Sequence, residues 1–282
     1  MEKSKEKELK VFAGHMRKLI IEAVYSAQSG HPGGSLSCTD ILAYLYGEKM
    51  RINTSDPANP DRDRFVLSKG HCAPALYAAL SQRGFFSKGA IKDFRKCGSM
   101  LQGHPCRACI PGVDMSTGSL GQGISTAVGM ALMGKLDKKD YRVFSILGDG
   151  ELQEGQVWEA LMSAAHYKLD NLTAFIDFNG LQIDGKTNDV MSLGSIADKV
   201  RAFGWNTVEI DGHDLNQIEA AVADAETKKG MPTMIVSKTH KGKGVSFMED
   251  QAGWHGKAPN EEQYDAAMAE LDAALLALEV EA

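Results

Sequence analysis

Two short segments carry the residue types that a metal-bound anion needs. Gly148, Asp149 and Gly150 open the segment GDGELQEG, and Asn179 follows Asp149 by thirty residues in FNGLQIDG. Each segment comes directly after an apolar run that reads as a β-strand, YRVFSIL at 141–147 and NLTAFIDF at 171–178. In open parallel sheets ligands sit beyond the carboxyl ends of the strands, so Asp149 and Asn179 are expected side by side. Oxygen-only ligation suits Mg²⁺ or Ca²⁺, and Mg²⁺ is usually held by one or two protein groups plus phosphate oxygens. The pattern therefore asks for a diphosphate. Gly148 and Gly150 let the backbone approach closely, and the helix expected next offers unpaired N–H groups and a positive dipole end. Read locally, an Asp-Gly turn with Asp149 as a helix cap fits the same residues. A dinucleotide site fits worse. GDGELQEG lacks the third glycine of GxGxxG, GSLGQG follows no convincing strand, and Asp149 inside the turn would repel a pyrophosphate without a metal.

Histidines and cysteines are the other reactive side chains. The cluster Gly30, Pro32, Gly33, Gly34 cannot continue a helix, so His31 is expected on an exposed loop. His71, His104 and His255 also lie in Gly-rich or Pro-rich segments. Imidazoles donate, accept and titrate near neutrality, which suits proton transfer, although any one of them alone reads more readily as a loop or core histidine. His15 and His166 fall on expected helices and read as structural, as do Met130, Met133 and Met162, which read as core. The five cysteines are an odd number in a chain whose start shows no secretory signal, so reduced thiols are expected. Cys106 and Cys109 form a lone CxxC, either a redox pair or half of a zinc site that no second CxxC or CxxH completes.

The elements that must position these residues are legible from periodicity. Apolar residues from Leu9 to Val24 recur at three and four, which predicts a helix over 8–25. Further helices are expected at 40–45, 72–83, 121–135, 155–168, 194–203, 214–228 and 261–278. Strands are expected at 65–68, 141–147, 171–178, 206–210 and 233–239. Near-continuous apolar strands alternating with helices imply an α/β fold, a parallel sheet with helices on both faces and right-handed crossovers. Residues 86–119 form an irregular run long enough to be functional. No segment reads as an interdomain linker, so one domain, 1–282, with long active-site loops is expected.

Composition narrows the function. With 43% hydrophobic and 24% charged residues the chain can bury a proper core. No apolar run reaches the roughly 20 residues that span a bilayer, so no membrane role and a cytoplasmic location are expected. The formal charge of -6, without a long basic block, argues against nucleic acid.

Seven segments, in order, resemble the transketolase family: SGHPGG at 29–34, DRFVLSKGH at 63–71, GHP at 103–105, STGSLGQG at 116–123, GDGELQEGQVWEA at 148–160, DFNGLQIDG at 177–185 and WHGKAPN at 254–260. The resemblance implies the thiamine diphosphate-binding fold, its diphosphate-binding domain, with thiamine diphosphate and Mg²⁺ or Ca²⁺ as cofactors. It implies that Asp149, Asn179 and the carbonyl of Leu181 hold the metal. It implies that Gly150, His71 and His255 meet the diphosphate, that Gly118 and Leu120 lie against the aminopyrimidine, and that Ile183 lies near the thiazolium. His31, His71, His104 and His255 would converge over the reactive carbon. His104 would take the donor's first hydroxyl and carbonyl, and His31 and His255 would transfer protons. Glu154 resembles the family's interface glutamate, which shares a proton with an activating glutamate across a subunit boundary.

That activating glutamate belongs to a pyrimidine-binding half that these segments do not include. The resemblance thus implies one subunit of a split transketolase, moving a two-carbon ketol unit from a ketose phosphate to an aldose phosphate. A complementary C-terminal subunit would supply the rest in a two-plus-two assembly. The apolar face of helix 261–278 and the loop 86–119 are candidate partner surfaces. KGKG at 241–244 departs from the fused enzymes and looks more like deoxyxylulose-phosphate synthase and split forms. It offers Lys241 or Lys243 to phosphate, with a solvated lysine as the other reading. The alternatives are a deoxyxylulose-phosphate synthase-like or unusual-sugar enzyme, and a non-catalytic diphosphate-binding module.

Overall fold

The computed structural model describes residues 1–280; residues 281 and 282, the end of the expected domain, lie outside the described residues. The chain runs α1 (Lys3–Ala27), α2 (Pro32–Ser37), α3 (Thr39–Tyr44), β1 (Arg64–Leu67), α4 (Ala73–Arg83), α5 (Gln122–Leu136), β2 (Val143–Gly148), α6 (Gly155–His166) and β3 (Leu172–Phe178). A short hairpin of β4 (Leu181–Gln182) and β5 (Gly185–Lys186) follows, then α7 (Thr187–Met191), α8 (Ile196–Ala202), β6 (Asn206–Asp211), α9 (Leu215–Thr227), β7 (Thr233–Lys238) and α10 (Glu261–Val280). The five long strands pair in parallel in the order β1, β2, β3, β7, β6.

Alternate strand residues enter two different cores, as a sheet covered on both faces requires. Phe65, Leu67, Phe144, Ile146, Phe175 and Ile235 join α1, α3, α4 and α9 on one face. Val66, Val143, Leu147, Leu172, Ala174, Ile176, Met234 and Val236 join α5, α6 and α8 on the other. The α/β sandwich expected from the sequence is present, and every long element falls within a few residues of its expected place. Between 86 and 119 only one 3₁₀ segment, Lys88–Asp93, is regular.

Three local readings are corrected. The segment PGGSLS is a short helix rather than a loop, because Pro32 stands at its first position, where the missing N–H costs nothing. The helix after Asp149 begins at Gly155, where it is expected, and a 3₁₀ turn, Gly150–Gln153, capped by the Asp149 carboxylate, fills the interval. Met133 and Met162 are exposed, since the inner stripe of α5 is taken by Ile124, Ala127, Val128 and Ala131 and that of α6 by Val157, Ala160, Leu161 and Ala164. The apolar face of α10 is not free for a partner. Ala267, Leu271 and Leu275 pack on α1, and Tyr264 stacks on Tyr25 with ring centroids 4.1 Å apart.

The cysteines also differ from expectation. Cys106 and Cys109 are paired as a disulfide, in a turn whose Cα separation of 5.4 Å suits the bond. The amide of Cys109 donates to the carbonyl of Cys106, so the turn itself brings the sulfurs together. Cys38, Cys72 and Cys97 are free thiols. No group of three or more His, Cys, Asp or Glu able to hold a metal occurs among the described residues.

Candidate active site

The parallel order brings four strand ends to one edge. Lys69 follows β1, Asp149 follows β2, Asn179 follows β3 and Lys241 follows β7, and all four line one cavity of about 410 Å³. Asp149 and Asn179 are neighbours through their turns. One Asp149 oxygen accepts the N–H of Gly150 at 2.9 Å, and the other accepts the N–H of Gly180 at 2.7 Å. Asp149 is buried, and burial, reinforced by nearby Asp177, pushes its carboxyl up to about 6. A carboxylate so placed gains from a cation beside it.

Asn179 is oriented for the same purpose. Its amide nitrogen donates to Asp177 at 3.1 Å, while its oxygen accepts the N–H of Leu181 at 3.2 Å and keeps a second lone pair. Asp177 is fully buried and saturated: Ser37 and Thr239 donate to it at 2.5 Å each, and Lys69 forms an ion pair with it. Burial opposes both charges of that pair, and their mutual attraction outweighs it, holding Lys69 above and Asp177 below their ordinary values. Asp177 therefore fixes Asn179 and leaves Asp149 as the carboxylate with room for a metal.

Glu151 staples the site. Its oxygens accept from the Ser68 hydroxyl at 2.5 Å, the Gly121 amide at 2.9 Å and the Gly148 amide at 3.0 Å. Three segments distant in sequence meet on this one buried side chain. Gly70 adds a close approach, since a Cβ there would stand 2.7 Å from the Gly118 nitrogen. The glycine is needed because the two backbones touch.

Lys241, which is 2% exposed, lines the same cavity. Its ammonium donates to the Leu181 carbonyl at 3.2 Å and to Nδ1 of His255 at 3.0 Å. Burial, and then Lys69, lower its pKa. Lys243, the other lysine of that loop, turns away to Glu249 at 3.5 Å. An ammonium has only donors, so His255 accepts at Nδ1 and carries its proton on Nε2.

Three of the four expected histidines converge. The rings of His31, His71 and His255 lie 5.1, 5.3 and 5.5 Å apart pairwise. His104 is not in this trio. It is exposed on the irregular loop, its carbonyl accepts from Tyr77 at 3.0 Å, and its ring lies against Gly118 at the rim. Burial first, then the neighbouring cations and imidazoles, lower His31 to about 4 and His255 to about 3, and push His71 well down. The trio is thus a set of neutral imidazoles at neutral pH. Nδ1 of His31 is buried without a hydrogen-bond partner in the wall of the cavity.

Of the other residues singled out from the sequence, Gly118, Leu120, Gly150, Glu154, Leu181 and Ile183 all line the cavity. Ile183 is 69% exposed at its mouth, and Glu154, at the N-cap of α6, is exposed as well. Sequence reasoning gave no role to Lys69, Glu151 or Asp177. Two signals were present: all three lie at or just beyond the end of an apolar strand, and all three fall inside the family-resembling segments.

The family model for the transketolase thiamine diphosphate-binding domain matches residues 9–273. The chain belongs to the transketolase family. It is 45% identical over 265 residues to one of the subunits of an apulose-4-phosphate transketolase of Phocaeicola vulgatus, covering 94% of each chain. It is 46% identical over 260 residues to a 6-deoxy-6-sulfo-D-fructose transketolase subunit of a Clostridium species, covering 92% of this chain and 94% of that one. The crystal structure of a transketolase from Campylobacter jejuni superposes with a TM-score of 0.88 at 30% identity. That match takes in 99% of this chain and 46% of the solved one, so the transketolase fold continues there for a comparable length again.

Proposed function

We propose that the chain is the diphosphate-binding subunit of a split transketolase, which moves a two-carbon ketol unit from a ketose phosphate to an aldose phosphate. The observation that carries this reading is the cavity itself: oxygen ligands, a buried ammonium and three imidazoles line one space. The donor set fits a divalent metal with a diphosphate, because Asp149 has only backbone donors among the described residues, Asn179 keeps a lone pair, and the Leu181 carbonyl, which also accepts from Lys241, completes a hard-oxygen set. Mg²⁺ or Ca²⁺ would be held by Asp149, Asn179 and Leu181, and the diphosphate by Gly150, Lys241, His71 and His255. Bound thiamine diphosphate supplies the nucleophilic carbon that the side chains of the protein lack.

The chain's own residues would bind, orient and move protons. Gly118 and Leu120 give the aminopyrimidine a flat, partly apolar seat, and Ile183 gives the thiazolium an apolar contact at the mouth. His31 and His255 would handle the proton at the sugar hydroxyl whose carbon bond breaks, His31 as the neutral acceptor and His255, whose Nδ1 is taken by Lys241, through its Nε2–H. His104 at the rim is placed to meet the donor's first hydroxyl. Glu154 would face the activating glutamate of a complementary C-terminal subunit in a two-plus-two assembly. The enzyme is read as a cytoplasmic one built on a single domain. No helix among the described residues is long and apolar enough to cross a membrane.

The test is ketol transfer from xylulose 5-phosphate to ribose 5-phosphate with thiamine diphosphate and Mg²⁺, by the chain alone and mixed with the complementary subunit. Activity in the mixture is expected, with Asp149→Ala abolishing it. A reconstituted complex that binds cofactor yet ignores these sugars moves the reading to an unusual donor. The names of the two subunit relatives favour that second reading, and a donor panel with phosphorylated and sulfonated ketoses decides it. Asp149→Ala with unchanged activity and metal-dependent binding would overturn the metal assignment.

A further inference from the structure

Beside the active-site cavity lies a second charged cluster that lines no part of it. Asp40, Arg17 and His213 border a separate recess with Lys243 and Gly244. Asp40 is buried, and one of its oxygens accepts from Arg17 at 2.6 Å and from Nδ1 of His213 at 2.7 Å. Both donors then reach onward to the same loop. Nε2 of His213 accepts the backbone N–H of His240 at 2.9 Å, and Nε of Arg17 donates to the carbonyl of Lys243 at 3.1 Å. Because a backbone N–H can only donate, Nε2 must be the bare nitrogen, so the proton of His213 sits on Nδ1, toward Asp40.

The two grips fall on either side of Lys241. The loop is tied down between them as well: the amide of Gly242 donates to the Gly33 carbonyl at 2.9 Å, and that of Asp250 donates to the Lys241 carbonyl at 2.8 Å. Gly242 has a φ of +79° and packs against the backbone of Met248, so the path of this turn is closely defined. A lysine on a free loop would sample many positions, whereas this one holds its ammonium between Leu181 and His255. We propose that Asp40, acting through His213 and Arg17, is the positioning device for Lys241, and that it sets where this ammonium meets a bound diphosphate. The inference rests on the reading of Lys241 as a phosphate contact. It adds that His213, a residue outside the cavity, is a positioning residue for cofactor affinity.

The side chains Gln and Asn separate the two bonds of His213. Gln places an amide oxygen near the position of Nε2 and keeps the bond to His240. Asn places an amide nitrogen near the position of Nδ1, keeps the bond to Asp40 and loses the loop. The probe is Mg²⁺ with thiamine diphosphate, titrated by calorimetry into the full chain together with its complementary subunit, with Tm measured in parallel. His213→Gln is expected to keep the affinity within about twofold, while His213→Asn weakens it about fivefold or more, the scale of a lost supporting bond. In a Lys241→Met background, itself at least about tenfold weaker, His213→Asn should add less than about twofold, because the two residues act in series. Equal affinity for His213→Asn and wild type, with Lys241→Met weak, would overturn the positioning role and leave the phosphate contact standing. A loss of the same size in both backgrounds would show a structural effect that bypasses Lys241. Lys241→Met with wild-type affinity would instead overturn the phosphate contact itself.

Discussion

Asp149 and the histidine trio show how burial converts ordinary side chains into reagents. Asp149 is desolvated with only backbone donors on its oxygens among the described residues, so removing the carboxylate removes the strongest attraction for a cation. Asp149→Ala is expected to weaken Mg²⁺-dependent thiamine diphosphate binding about tenfold or more, and a titration with and without chelator checks it. His31 and His255 make a second prediction. Burial lowers both, to about 4 and about 3, from an ordinary value near 6.5. Between those values the unfolded chain binds protons that the folded chain refuses, so stability falls as pH drops below about 6.5 and levels off near about 3 to 4. Tm should therefore decrease from about pH 7.5 to about pH 5, and less steeply in His255→Gln. An equal slope in the variant would show that this ring takes no part.

At the scale of elements, the site depends on staples between segments that local sequence cannot relate. Glu151 belongs to the 3₁₀ turn after β2, yet it holds Ser68 from the end of β1 and Gly121 at the start of α5. Replacing it with Gln turns one acceptor oxygen into a donor facing a donor. The expected cost is about 1–3 kcal/mol, read from the denaturation midpoint, together with weaker cofactor binding. A variant with wild-type stability would mean that water replaces the lost bonds. Periodicity located the helices and strands because their apolar stripes are local. It misread PGGSLS, since two glycines argue against a helix unless packing demands them. Here a Cβ at Gly33 would stand 2.9 Å from the Trp254 carbonyl, and one at Gly34 would stand 2.8 Å from the Cys72 sulfur. The apolar side of α10 was legible as a stripe, but nothing in the stripe said that α1 would cover it.

For the whole molecule, the strand order is what assembles the site. β7 inserts between β3 and β6, which carries Lys241 to the edge where Lys69, Asp149 and Asn179 already stand. In the proposed split arrangement, which the subunit names of two relatives support, the site is complete only with a second subunit. The chain alone is expected to give no turnover above background, and mixing with the complementary subunit should restore it. Turnover by the chain alone would refute the split arrangement. The sequence by itself determined the fold class, the family and the candidate metal ligands, because strand and helix periods and the GDG to Asn spacing are local properties of the chain. It also named the four histidines, by their place in ordered motifs. Only the tertiary structure decided that three of them meet while His104 stays at the rim, that Lys241 rather than Lys243 enters the cavity, and that Asp177 is a saturated support beneath Asn179. Those facts turn on which side chains a folded backbone brings within hydrogen-bond reach and shields from water. They depend on contacts between residues from 60 to more than 200 positions apart, and no short window of sequence contains them.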